Sequence, residues 1–245
     1  RRAAMRVVLL HAFPVDHRLW DAQVTFLTAA GYDVTAPDLG GFGASDLPEA
    51  PALWEMAAPI LPAEPAVFAG LSMGGYLLME ILRKAPEKVA GAIFVDTKAT
   101  ADSEQARKGR FEVAHAMERD PDLEGLAQNL LPNLLGATTR DQRPDVVDTV
   151  RSWITQAPPA AVANAARSMA DRPDSLQTLR SYERPAAVVW GSEDTLSPEA
   201  EQDLMLRAMP QAVGREIAGA GHLSAVEDPA ALNDILLEIL RDWLG

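Results

Sequence analysis

Short apolar runs alternate along this chain with segments whose apolar positions recur every three or four residues, the pattern of parallel strands joined by helices. Residues 5–10, Met-Arg-Val-Val-Leu-Leu, are short, β-branched and followed by Phe13-Pro14, which predicts a buried strand closed by a turn. Residues 16–30 place Leu19, Trp20, Val24 and Leu27 on one face ahead of Gly31, which predicts a helix with a glycine C-cap. A strand over 32–36, a glycine-rich loop over 37–45 and a short helix over 53–60 come next. Residues 66–69 predict another buried strand, the segment after Gly74 a helix ending before Pro86, and residues 92–95 a further strand with Asp96 at its end.

The pattern then changes. Residues 98–184 hold no strand-like run but several helical ones, over 103–119, 145–156 and 159–170, with breaks expected at Pro121, Pro132, Pro144 and Pro158-Pro159. This predicts a helical insertion, a lid, between two parts of one core: residues 1–97 with 185–245 as core and 98–184 as cap. The sheet resumes at 186–190, and Ser197-Pro198 predicts a helix start with Ser at the N-cap and Pro at the first helical position. A last strand is expected over 214–218. Asp228-Pro229 then opens a final helix with Leu232, Ile235, Leu236, Ile239, Leu240 and Trp243 on one face.

Composition narrows the functional classes. Hydrophobic residues make up 48% of the 245 positions and charged residues 23%, values of an ordinary folded domain. The 35 acidic residues outnumber the 22 basic ones, giving a net charge of −13 that repels nucleic acid and anionic membranes. Cysteine is absent, which removes disulfides, thiolate metal sites and a cysteine nucleophile. No run approaches the ~18 apolar residues of a membrane span. Arg1-Arg2 has too short an apolar segment behind it for a twin-arginine signal, so a cytoplasmic protein is expected.

The candidate chemistry lies where the predicted strands end. Gly70-Leu71-Ser72-Met73-Gly74 interrupts a strand and opens a helix, so the turn exposes a serine and aims free N–H groups at it. A serine hydroxyl needs a base and an oxyanion site to act as nucleophile. The turn Gly191-Ser-Glu-Asp194 offers a carboxylate and Gly221-His222 an imidazole, each after a later strand. In this reading His222 takes the Ser72 proton, Asp194 orients His222, and the backbone N–H groups of Phe13 and Met73 hold the oxyanion. Asp96 is the rival acid; Glu193 is expected to point away.

His11-Ala12-Phe13-Pro14, Asp38-x-x-Gly41-x-Gly43-x-Ser45, Gly70-x-Ser72-x-Gly74-Gly75, Gly191-x-x-Asp194-x-x-x-Pro198 and Gly221-His222 together resemble the α/β-hydrolase superfamily over essentially the whole chain. Phe-Pro-x-Asp-x-x-x-Trp, Ser-Met-Gly-Gly and the helical lid resemble, within it, small carboxylesterases and 3-oxoadipate enol-lactonase-like hydrolases. The resemblance implies an α/β fold with a mainly parallel sheet and a serine hydrolase acting on a small-molecule carboxylic ester, thioester or lactone, with no cofactor. Three positions depart from the family pattern: Ala12 replaces a usual glycine, Gly40 replaces a frequent arginine, and the hairpin before the first strand is missing. The last predicts a six-stranded, all-parallel core.

Other residues carry weaker expectations. His11 is read as a brace for the oxyanion turn, and His17 and His115 as surface residues; His11 and His17 lack a carboxylate at metal-ligand spacing, and no metal site is expected. Trp153, Met117 and Leu131 are the candidate substrate contacts, alongside Phe111, Leu130 and Met169, although helical spacing first predicts burial within the lid. Arg107, Arg110, Arg151 and Arg167 are equal candidates for anchoring an anionic substrate. A ligand receptor with little turnover is the alternative from another class, and C–C bond hydrolysis, perhydrolysis or a lyase step are alternatives on the same fold.

Overall fold

The structure, a computed structural model, describes residues 4–245. Arg1-Arg2 lies outside them.

The elements run β1 (Arg6–Leu10), α1 (Asp21–Ala29), β2 (Asp33–Thr35), α2 (Leu53–Ala57), β3 (Ala66–Leu71), α3 (Met73–Lys84) and β4 (Val89–Val95). Six helices follow without a strand: α4 (Glu104–Arg119), α5 (Leu123–Leu134), α6 (Ala137–Gln142), α7 (Pro144–Thr155), α8 (Pro159–Ala170) and α9 (Leu176–Arg180). The chain closes with β5 (Ala186–Gly191), α10 (Glu199–Ala208), β6 (Val213–Ile217), α11 (Ser224–Glu227) and α12 (Pro229–Leu244).

All pairings in the six-stranded sheet are parallel, in the order β2-β1-β3-β4-β5-β6. β3 and β5 are buried along their whole length, as their continuous apolar runs require. The chain moves outward from β1 to β2, then returns to β3 on the other side of β1 and proceeds through β4, β5 and β6. Because parallel crossovers are right-handed, that reversal sends α1 to one face of the sheet and α3 to the other. The C-terminal ends of β1 and β3 therefore flank a crevice, the place where open parallel sheets bind ligands.

Several local expectations are corrected. The helix expected over 16–30 is split: Asp16 caps a 3-10 turn, His17–Trp20, by accepting the Arg18 N–H at 3.0 Å, and α1 starts only at Asp21. Pro132 lies inside α5 instead of ending a helix. It falls in the last turn, where the lost N–H bond is one of few remaining. Ser197 is not the N-cap of α10; Pro198 occupies that position. Ser197 N–H is committed to Asp194 Oδ1 at 3.0 Å, so the serine belongs to the acid turn. Asp228 and Pro229 open α12 as the sequence predicts, the Asp228 carboxylate accepting the Ala231 N–H at 3.1 Å.

A buried charge cluster ties the helices between β4 and β5 to one another and sets one guanidinium against the core. Arg172 donates to Asp102 Oδ1 at 2.7 Å and to the Thr100 carbonyl at 3.1 Å, and its guanidinium lies 4.0 Å from the centre of the Tyr76 ring on α3. Arg110 on α4 pairs with the other oxygen of Asp102. No helix among the described residues is long and apolar enough to cross a membrane.

Candidate active site

The serine turn is held in a conformation that an L-residue adopts only under constraint. Ser72 has φ 54° and ψ −112°, which costs on the order of 1–3 kcal/mol unless neighbours over-determine it. They do. Ser72 N–H donates to Val95 O at 3.0 Å, and its carbonyl accepts from Gly75 N, Tyr76 N and the Thr97 hydroxyl, the last at 2.8 Å. Glycine is required on both sides: a Cβ on Gly70 would run into the Gly74 backbone, and one on Gly74 into the Leu10 carbonyl.

His222 follows β6 and lies almost fully buried. Its Nε2 is 2.7 Å from Ser72 Oγ, and its Nδ1 is 2.9 Å from each oxygen of Asp194. With the Nδ1 proton directed at the carboxylate, Nε2 is the acceptor that faces the hydroxyl. Burial alone disfavours the imidazolium. The charge and hydrogen bond of Asp194 outweigh it, aided by Asp96 and Glu227, and hold the ring's pKa above its ordinary value. Asp194 is itself fixed by the N–H groups of Leu196 and Ser197, which donate to Oδ1 at 2.9 and 3.0 Å.

Asp96, the rival acid, is engaged elsewhere. Its Oδ1 accepts the Gly191 N–H at 2.9 Å, and its Oδ2 accepts the N–H and hydroxyl of Ser224 at 3.0 and 2.6 Å. It ties the end of β4 to the end of β5 and to the start of α11 and makes no hydrogen bond to His222. Complete burial, followed by the nearby charge of Asp194, raises its pKa well above the usual carboxylate range. Glu193 points away from the imidazole, accepting from Thr138 N at 3.0 Å and Thr138 Oγ1 at 2.6 Å.

The backbone N–H groups of Phe13 and Met73 donate to no acceptor among the described residues. The Phe13 turn is braced from below by His11, whose Nδ1 donates to Ala12 O at 2.9 Å while Nε2 accepts the Leu39 N–H at 3.0 Å. Burial keeps this imidazole neutral by lowering its pKa, as a ring that must accept on Nε2 requires.

The structure separates the three candidate substrate contacts. Trp153 lines a cavity of about 360 Å³ together with Pro14, His17, Arg18, Phe42 and Ala157, next to the Phe13 turn. Met117 lines a different cavity walled only by residues 109–129 of α4, α5 and their connection, and Leu131 is buried in the insertion's core. Phe111 lies under the guanidinium groups of Arg107 and Arg167. None of the four candidate anchor arginines is uncommitted: Arg107 pairs with Asp171, Arg110 with Asp102, Arg151 with Glu124 and Arg167 with Glu118.

His17 does gain a carboxylate, from a distance that spacing along the chain does not reveal. Its Nδ1 is 2.8 Å from Asp38 Oδ1, and Asp16 completes a group whose ligand-type atoms lie within 4.8 Å of one another. Arg18 already engages both oxygens of Asp16, at 2.9 Å each, so a cation side chain belongs to this cluster.

Comparison with known proteins agrees with this fold. A family model described as the alpha/beta hydrolase fold matches residues 6–229. The chain is an α/β hydrolase. Among solved structures, a thermophilic esterase from Thermogutta terrifontis with malate bound is 34% identical, with a TM-score of 0.92, covering 99% of this chain and 92% of that one. A pimeloyl-[acyl-carrier protein] methyl ester esterase of Aromatoleum aromaticum is 26% identical over 96% of this chain and 98% of its own length. A 3-oxoadipate enol-lactonase of Acinetobacter baylyi is 23% identical over 91% of this chain and 84% of its own length. The hydrolase spans only 44% and 56% of two other curated relatives.

One buried carboxylate near the imidazole is not found by sequence reasoning. Glu227, on α11 just after His222, accepts the Leu223 N–H at 2.9 Å and reaches across to the insertion. A carboxylate on the turn after the imidazole was the available signal; its partners, Gly136 and Thr139, lie too far along the chain to be inferred.

Proposed function

We propose that this protein is a serine hydrolase that cleaves a small, largely apolar carboxylic ester, thioester or lactone through an acyl-enzyme. The observation that carries the reading is the chain of contacts from Ser72 Oγ through His222 to Asp194, at 2.7 and 2.9 Å. His222 removes the Ser72 proton as Oγ attacks the acyl carbon, and Asp194 stabilises the imidazolium that forms. The N–H groups of Phe13 and Met73 receive the oxyanion. His222 then protonates the leaving oxygen or sulfur, and repeats the cycle with water to release the acid and restore Ser72.

The inserted helices, residues 98–184, act as the lid over a core of residues 1–97 and 185–245. Trp153, on the cavity beside Pro14, is the lid residue we assign to substrate contact. The commitment of Arg107, Arg110, Arg151 and Arg167 to acidic partners favours an uncharged acyl group over an anionic one. Esterases and an enol-lactonase among the relatives support hydrolysis of an ester-type bond.

Hydrolysis of p-nitrophenyl esters from acetate to decanoate, by wild type and Ser72→Ala in parallel, tests the reading. Repeated turnover by wild type and none by the alanine variant is expected. Tight binding with about one product per chain would instead favour a receptor built on the same fold.

A further inference from the structure

One turn of the insertion is bound to the turns that carry Asp194 and His222. Gly136 N–H and Thr139 Oγ1 both donate to Glu227 Oε1 at 2.7 Å. The other oxygen of that carboxylate, Oε2, accepts the N–H of Leu223, the residue after His222, at 2.9 Å. Glu193, the neighbour of Asp194, holds Thr138 of the same insertion turn through both its oxygens. The backbones also meet, since a Cβ on Gly221 would run into Gly136.

Glu227 is an expensive group to keep in this place. It is 6% exposed, and the hydrogen bonds it accepts come from neutral donors, the Gly136 and Leu223 N–H groups and the Thr139 hydroxyl. Buried carboxylates ordinarily pair with a cation. Here burial raises the proton affinity, while the donors from Gly136, Thr139 and Leu223 act against it. An amide or an apolar side chain would fill the space without that desolvation cost, so the carboxylate is explained by what its two oxygens join.

We propose that Glu227 is a positioning residue through which docking of the insertion fixes the placement of His222: one oxygen grips the insertion turn, the other the backbone next to the imidazole. The proposal rests on His222 being the general base. Closure of the lid and assembly of the base are then one event, because a displaced Gly136–Thr139 turn releases the carboxylate that orders residues 222 and 223. The charged groups facing His222 are Asp194 from the turn after β5, Asp96 from the end of β4 and Glu227 from α11, all acidic. Removing one of these negative charges makes the imidazolium less favourable.

The test compares wild type, Glu227→Gln, Thr139→Val and Thr139→Ser by ester hydrolysis across pH and by NMR titration of the His222 ring. In Glu227→Gln, kcat is expected to fall about ten- to a hundredfold with KM changed less, in keeping with a misplaced catalytic group. The acid limb of kcat/KM and the ring titration should both move to lower pH, which loss of packing alone does not produce. Thr139→Val should lose kcat severalfold and Thr139→Ser regain it. A folded Glu227→Gln with wild-type kcat and an unshifted ring overturns the proposal. If Glu227→Gln does not fold, the threonine pair decides, and a wild-type kcat in Thr139→Val overturns it. If wild type cleaves no ester, the hydrolase reading fails by itself, while the ring titration, which needs no substrate, still judges Glu227.

Discussion

Ser72 and Asp96 are the two non-glycine residues with positive φ among those described, and they stand side by side at the ends of β3 and β4. Their similar backbones serve different ends. Ser72 turns its hydroxyl to His222, whereas Asp96 turns its carboxylate to the backbone of Gly191 and to Ser224. Asp194→Asn should therefore lower kcat on the order of 10⁴-fold by presenting the wrong hydrogen-bonding partner to Nδ1. Asp96→Asn should act mainly on stability, because an amide cannot accept from Gly191 on one side and Ser224 on the other, and steady-state kinetics with thermal denaturation separates the two. The pH dependence follows from the sign of the His222 shift. A general base must be neutral, and a ring whose pKa is raised stays protonated to higher pH. The acid limb of kcat/KM should accordingly lie above pH 6.5, the ordinary value for histidine. A limb below 6.5 contradicts the balance of charges described around the ring.

At the scale of elements, close approach explains the glycines of the serine turn. Gly74 lets α3 start directly against the end of β1, and Gly74→Ala forces its new methyl group on the Leu10 carbonyl, a backbone atom with nowhere to move. A loss of about 1–3 kcal/mol is expected from such overpacking, measurable as a lowered denaturation midpoint. Elements were legible where local rules acted alone. The buried strands announced themselves as unbroken apolar runs, and α12 by Asp228, Pro229 and one apolar face. Boundaries were lost where a tertiary bond competed with a local one. Ser197 has the composition of a cap but its N–H is held by Asp194, and Pro132 is tolerated because α5 is about to end. The candidate triad was readable because each member follows its own strand. The His17–Asp38 pair and the Glu227 clamp were not, because their partners come from distant turns brought together only by folding.

For the whole molecule, the net charge of −13 leaves the surface unfavourable to polyanions, while the buried charges do structural work inside the insertion, next to the Tyr76 ring of the core. The Arg172–Asp102 contact is the clearest case, with both side chains nearly inaccessible. Arg172→Met leaves the Asp102 carboxylate with only Arg110 and should destabilise the fold by about 3–5 kcal/mol, and pairing it with Asp102→Asn should recover part of that. Chemical denaturation of the two variants checks both halves. The central claim, that Ser72 carries the acyl group, is tested most directly by acid-quenching the enzyme during turnover of p-nitrophenyl acetate and measuring its intact mass. The account predicts a transient gain of one acetyl group that maps to the peptide containing Ser72 and is missing in Ser72→Ala. Turnover without any adduct, an adduct on another residue, or undiminished turnover by Ser72→Ala would contradict it.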